Sequence, residues 1–164
     1  MDGSDKGGTN MNPSKDFLKL TGTVVIERRK KNGKVIDREN MKNLIVNVGK
    51  EHVAKLIGGL VSGISEFQSI AIGTGTTGVS ASDTSLETEI TRALATKAYE
   101  ADYKATFEYT FSFGSGVTHN ITEAGLFDSN TESGSTMLDR FTFTAKEVDA
   151  DTDLYIKITI TVSS

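Results

Sequence analysis

Alternation of apolar and polar residues at period two is what most restricts the fold of this chain. From Tyr103 to Phe113, Tyr103, Ala105, Phe107, Tyr109, Phe111 and Phe113 share one face, and Lys104, Thr106, Glu108, Thr110 and Ser112 share the other. Successive side chains of a strand point to opposite faces, so the pattern predicts a half-buried β-strand. The last stretch, Leu154 to Ser164, repeats it with Leu154, Ile156, Ile158 and Ile160 inward. Between them lie strands over Asn120–Asp128 and Thr136–Thr144. Gly125 inside the first marks a bulge or a close backbone approach. The acidic stretch Lys146–Asp153 reads as a turn.

The upstream half adds more strands. Leu20 to Arg29 is rich in β-branched residues, and Asn32-Gly33 follows. Both turn residues accept positive φ, which makes this the strongest short hairpin signal. Val35 to Ile45 then returns. Phe67 to Ile72 is a short apolar strand, and Ala95 to Asp102 is moderately β-like. One helix is expected over residues 47–60, capped by Asn47. Val53, Leu56, Ile57 and Leu60 fall on one face, and Gly58 and Gly59 weaken the last turn.

About eight strands and one helix predict a mainly β protein: an antiparallel β-sandwich, jelly-roll-like, as a single domain over residues 20–164. Low aromatic content (7%) and abundant Gly, Ser and Thr agree with many turns. Residues 1–19 form an extended N-terminal arm. Almost all of its first 16 residues are small, polar or charged, too little apolar surface to offset the entropy of ordering them alone. Such an arm is ordered where a neighbouring chain lies against it.

The central stretch Glu66–Leu94 carries the motif that looks most chemical. Gly73-x-Gly75-x-x-Gly78 follows a strand and precedes a candidate helix, Asp83–Ala93. Acids follow at Glu100 and Asp102. A dinucleotide fingerprint needs its helix to begin within the glycines, so that the N-terminal amides meet the pyrophosphate. Here Val79 to Ser82 intervene and no second βα unit follows, so a turn-rich connection is the better reading. Asp149-x-Asp151-x-Asp153 imitates the start of a calcium loop, but Leu154 and Ile160 stand where Gly and Glu are needed. A turn is expected there, with weak cation binding left open. His52 and His119 lack a neighbouring carboxylate motif and read as structural or solvent-facing. Glu87 and Glu89 have no apolar pocket to raise a pKa. With no Cys and no G-x-S-x-G elbow, no catalytic constellation emerges. The reading is not an enzyme, with no cofactor and no metal. With no Trp and no exposed aromatic platform in evidence, a carbohydrate-binding sandwich has little support.

Charge is unevenly divided. Residues 1–60 carry a net charge of +5 and residues 61–164 a net charge of −9. Lys15, Phe17, Arg28, Arg29, Lys30, Lys31 and Lys34 are the candidate partner-binding residues, for an acidic neighbour. No aromatic residue is interleaved with the basic hairpin tip for base stacking, so nucleic acid is not the expected partner. No apolar run is long enough to span a membrane, and the chain is expected to be soluble and made in the cytoplasm.

Taken as an ordered set, these residues support a comparison. Ile70-Ala-Ile-Gly-Thr-Gly-Thr-Thr-Gly78, Asp83-Thr-Ser-Leu-Glu-Thr-Glu89 and Arg92 resemble a pattern of tailed-bacteriophage virion structural proteins. So do Ile121-Thr-Glu-Ala-Gly-Leu-Phe-Asp128, Gly134-x-x-Met137-Leu-Asp-Arg140 and the closing strand, with Asn43-Leu-Ile-Val46 upstream. The resemblance covers about residues 40–164. It implies a non-enzymatic virion protein that decorates or cements the capsid, with the major capsid protein or copies of itself as partners. A tail, collar or baseplate component is the alternative. It also implies that the Gly-Thr loop is a structural connection.

Overall fold

The computed structural model describes residues 18–59 and 61–163. Two five-stranded antiparallel sheets account for most of them. The first has the order β2 (Val35–Lys42), β1 (Lys19–Lys30), β10 (Thr152–Ser163), β7 (Lys104–Ser112), β6 (Thr96–Glu100). The second has the order β3 (Leu44–Ile45), β9 (Met137–Val148), β8 (His119–Phe127), β4 (Ser69–Gly73), β5 (Glu89–Leu94). One helix, α1 (Asn47–Gly58), completes the elements. Among the described residues there are thus ten strands where the sequence predicts about eight.

The predicted alternation sets the core. Leu154, Ile156 and Ile158 are fully buried and Ile160 nearly so, and they meet Phe107 and Phe111 of β7, Val24 and Ile26 of β1, and Ala124, Leu126 and Phe141 of the other sheet. Each such side chain removed from water contributes on the order of 1.5–3 kcal/mol. The apolar faces of the two sheets therefore meet in one cluster, a sandwich-like arrangement. On β7 the alternation is imperfect, with Thr106 of the polar face buried. Tyr103 lies in the preceding turn and Tyr109 is partly exposed.

The second sheet is buried on its other face as well. Val46, Ala71, Leu86, Phe127 and Met137 form a separate cluster there. This explains why every residue of β4 is buried. Residues 83–88, expected to open a helix, are instead a loop that delivers Leu86 to this cluster, and Glu89–Leu94 continues as β5. The thin apolar stripe of the segment suits one anchoring residue and an edge strand.

The helix also departs from expectation in its facing. Val46, not Asn47, is the N-cap, and no side chain caps it. Val53 packs on the core as expected, but Gly49 and His52 are the buried residues of the helix, Ile57 is 72% exposed, and Leu60 lies outside the described residues. A Cβ on Gly49 would meet the Leu138 carbonyl at 2.5 Å, so only glycine lets the helix lie this close to β9. Gly59 ends the helix in the left-handed region, as the sequence predicts.

Both lateral edges are single segments that change sheets at a corner. On one side β2 passes through Asn43 into β3, and on the other β5 passes through Ala95 into β6. Gly22 makes the first corner possible, because a Cβ there would overlap the Asn43 side chain. The Asn32-Gly33 turn is present with Gly33 at φ +83°. β1 begins at Lys19, inside the stretch assigned to the arm, and residues 1–17 lie outside the described residues.

Candidate functional site

The Gly-Thr loop after β4 binds an anion, and that anion belongs to the chain itself. Glu123 of β8 is fully buried beneath the loop. Its Oε1 accepts from the Gly75 amide (3.0 Å) and the Thr88 amide (2.7 Å), and its Oε2 from the Glu87 amide (3.1 Å). Thr122 Oγ1 donates to the Gly75 carbonyl at 2.8 Å. A Cβ on Gly73 would meet Glu123 Oε1 at 2.7 Å, and one on Gly75 would overlap the same carboxylate. Gly78 faces open space. The first two glycines of the fingerprint therefore admit a protein carboxylate, and the third admits nothing.

Arg140 neutralises this carboxylate. Its Nε donates to Glu123 Oε2 at 3.0 Å, one terminal nitrogen reaches Asp83 Oδ2 at 2.9 Å, and the other donates to the Thr77 carbonyl at 3.3 Å. Burial works against the charge of Arg140, but Asp83 and Glu123 outweigh it and hold its pKa above the ordinary value. Burial likewise pushes the Asp83 carboxyl up, and its bonds to the Ser80 amide and Arg140 bring it below the usual range. Glu87 Oε2 takes the Thr76 and Thr77 amides (2.7 and 2.8 Å) and the Thr77 hydroxyl, and the Thr77 bonds hold its pKa low. β8 and β9 supply Glu123 and Arg140 to the loop-covered face, where Arg140 sits opposite Gly125. A Cβ on Gly125 would meet the Asp139 carbonyl at 2.6 Å, the close approach the sequence predicts.

A second arginine locks the neighbouring loop. Arg92 makes two 2.7 Å bonds to Glu89, donates to the carbonyls of Ser129 (3.0 Å) and Thr131 (2.9 Å), and lies 4.3 Å from the Phe127 ring. Asp139, beside Arg140, pairs with no cation among the described residues. It accepts from the Leu126 amide (2.9 Å) and the Asn43 side-chain amide, and burial raises its pKa to about 7. His52 is buried: Nε2 lies 2.8 Å from the Ser65 carbonyl, Nδ1 lies 3.8 Å from Asp128 Oδ2, and the ring is tilted against Phe67. His119 opens β8 and packs edge-on against Phe113.

The basic hairpin tip is dispersed rather than gathered. Arg28 pairs with Asp37 at 2.8 Å. Arg29 pairs with Glu27 and lies over the Tyr155 ring at 3.7 Å. Lys31 pairs with Asp153 at 2.5 Å. Lys30 and Lys34 are exposed and, among the described residues, carry no ion pair. Lys15 and Phe17 lie outside the described residues. In the β9–β10 turn, Asp149 accepts from the Asp151 amide and the Thr152 hydroxyl, which lower its pKa, while Asp153 Oδ1 also takes Ser112. Among the described residues no group of three or more acidic or histidine side chains could hold a metal, and no helix is long and apolar enough to cross a membrane.

Sequence reasoning missed the carboxylate–arginine cluster as a cluster. The signal was present: Glu123 interrupts an apolar run, and Asp139-Arg140 interrupts another. Adjacent charges inside buried strands require partners. No protein-family model, curated protein or solved structure matches this chain.

Proposed function

We propose that the chain is a non-enzymatic structural protein of a tailed-bacteriophage particle, decorating or cementing the capsid shell. One observation carries the reading. Asp83, Glu87, Glu123 and Arg140, all residues of the phage-like pattern, converge on a single cluster in which the polar groups answer each other. The amides that would cradle a phosphate are bonded to Glu123 and Glu87 instead. The pattern thus records how a loop is fastened to a sheet, which is the need of an architectural protein. The expected partners are the major capsid protein and further copies of the chain, met through the hairpin tip and the N-terminal arm, and the expected location is the virion.

A jelly-roll-like winding belongs to the same proposal. β1 lies beside β10 and β3 beside β9, as that winding requires, while the β8–β9 pairing within one sheet departs from it.

Immunogold labelling of virions, with antibody raised against the chain, tests the reading. Signal over the shell is expected. Signal at the vertex or tail would move the protein to the collar or baseplate, and unlabelled particles would overturn the assignment. Deleting residues 2–16 should lower occupancy on particles, and undiminished binding would remove the arm from the proposal. Calorimetric titration with dinucleotides should show no heat of binding.

A further inference from the structure

The two sheets end in four edge strands, defended to different degrees. β2 carries Asp37, Arg38, Glu39 and Lys42 and has a register irregularity against β1. β3 is two residues long. β5 is fastened to the 129–135 loop by Arg92. β6 carries Lys97 and Glu100, already held in ion pairs to Glu66 (3.0 Å) and Lys157 (2.6 Å), but among the described residues it has neither a register irregularity nor a clamp like that of Arg92. Its five residues are exposed along their length, pair with β7 in unbroken register and include no proline. An open edge presents unpaired N–H and C=O groups to any strand that can reach them.

Apolar surface gathers beside this edge. Tyr99 is 75% exposed, and Leu94 and Tyr103 are exposed nearby in the chain. An opening of about 440 Å³ lies between β6–β7 and the end of α1, with Leu56, Phe67, Tyr99 and Phe107 in its lining. The Lys97–Glu66 ion pair, 3.0 Å, is at its rim. Clustered exposed apolar side chains of this kind mark interaction sites.

We propose that β6 pairs with β6 of a second copy, antiparallel about a two-fold axis at Ala98, joining two five-stranded sheets into one of ten strands. A two-fold axis normal to the sheet keeps each side chain on its own face, so only residues of like parity can meet. With Ala98 opposite Ala98, Lys97 lies opposite Tyr99 on the face bearing the opening, and Thr96 lies opposite Glu100 on the other. The first pair sets a cation beside an aromatic ring, and the second a hydroxyl beside a carboxylate. An axis at Lys97 would oppose two lysines, and an axis at Tyr99 would leave Lys97 and Glu100 opposite alanines. The pairing of side chains on each face therefore favours a second copy of β6 in the register centred on Ala98. The inference stands on the edge itself and does not depend on the particle assignment.

The full chain has no Cys, which gives a clean test. Ala98→Cys should form a disulfide-linked dimer under mild oxidation, because facing Cα atoms in an antiparallel pair lie about 4.5–5.5 Å apart, within the span a disulfide bridges. Ser115→Cys, in the β7–β8 turn, should stay monomeric. Sedimentation velocity of the wild type over ~1–100 µM should show a species of twice 17.6 kDa. Ala98→Lys and Ala98→Glu should each weaken it at least tenfold, with folding verified by circular dichroism, and mixing the two variants should restore a dimer. A wild type that stays monomeric at the top of that range, or a dimer indifferent to Ala98→Lys, overturns the proposal. A dimer abolished by deleting residues 1–17 and untouched by the Ala98 variants overturns it too, and names the N-terminal segment as occupant.

Discussion

Arg140 and the arginines of the hairpin tip are the same residue type in two physical settings. Arg140 is 3% exposed at its side chain and reaches Glu123, Asp83 and a backbone carbonyl. Arg28 and Arg29 are 28% and 29% exposed and pair chiefly with one carboxylate each. Both regions looked like anion sites in the sequence. Taking charges out of water is expensive, so a buried arginine must have its partners built in, and those partners fix the chain around it. A half-buried arginine keeps part of its water, and its pair depends less on partners built in around it. The Gly-Thr loop is therefore architecture, and the hairpin tip remains a surface.

The comparison breaks most sharply at its buried end. Arg140→Met should cost about 3–5 kcal/mol, because Glu123 is left as an uncompensated buried charge. Urea unfolding at neutral pH reads this directly, and a loss near that of a surface pair would refute the account. The double variant Glu123→Leu with Arg140→Met should recover part of the loss, since no charge then stays buried.

Asp139 sharpens the contrast, being a buried carboxylate that pairs with no cation among the described residues. Its folded pKa of about 7 lies above its ordinary 3.8. The folded state thus holds this proton more tightly than the unfolded chain does. Its contribution to stability is fully present below pH 3.8 and is lost as pH rises through about 7. At 1.36 kcal/mol per pKa unit the interval corresponds to about 4 kcal/mol. Asp139→Asn should remove this dependence, so that the variant gains on the wild type between pH 4 and pH 8 in denaturant titrations. Asp83, Glu87 and Asp37, whose pKa values are lowered, act oppositely and withdraw stability as pH falls through the acid range. A difference between variant and wild type that stays constant with pH would show that Asp139 is ionised in the fold.

The glycines give a smaller and more local test. Gly75→Ala forces a methyl group into the Glu123 carboxylate and should cost about 1–3 kcal/mol. Gly78→Ala, in open space, should stay within about 0.5 kcal/mol. Equal effects would mean that the loop is not clamped on Glu123. At the exposed end, Lys31→Ala should change stability by less than about 1 kcal/mol despite its 2.5 Å pair with Asp153, and by still less in high salt.

The strands and the hairpin were legible because period-two alternation and Asn-Gly chemistry are local. Leu154, Ile156, Ile158 and Ile160 face inward as their spacing requires, and Gly33 occupies the left-handed turn. The helix was legible in extent but not in facing. Spacing marked Leu56 and Ile57, while the close approach of Gly49 to β9 turned Gly49 and His52 inward. Residues 83–94 misled because Leu86, Ile90 and Leu94 fit a helical stripe as well as they fit a loop anchor and an edge strand. The cluster was the least legible, since Gly75, Glu123 and Arg140 are far apart in the chain and nothing local links them.

By itself the sequence determined the class of the protein: a β-rich chain with one short helix, turns at its glycines and an uneven charge. Alternation and turn propensity act over a few residues, so they are written in neighbouring letters. The tertiary structure alone decided which charges are buried together, that the Gly-Thr loop holds a carboxylate of its own chain, and that β6 lies at a sheet edge. Those outcomes depend on which strands lie side by side and on how much water their packing removes, and both are set by contacts between residues remote in the chain.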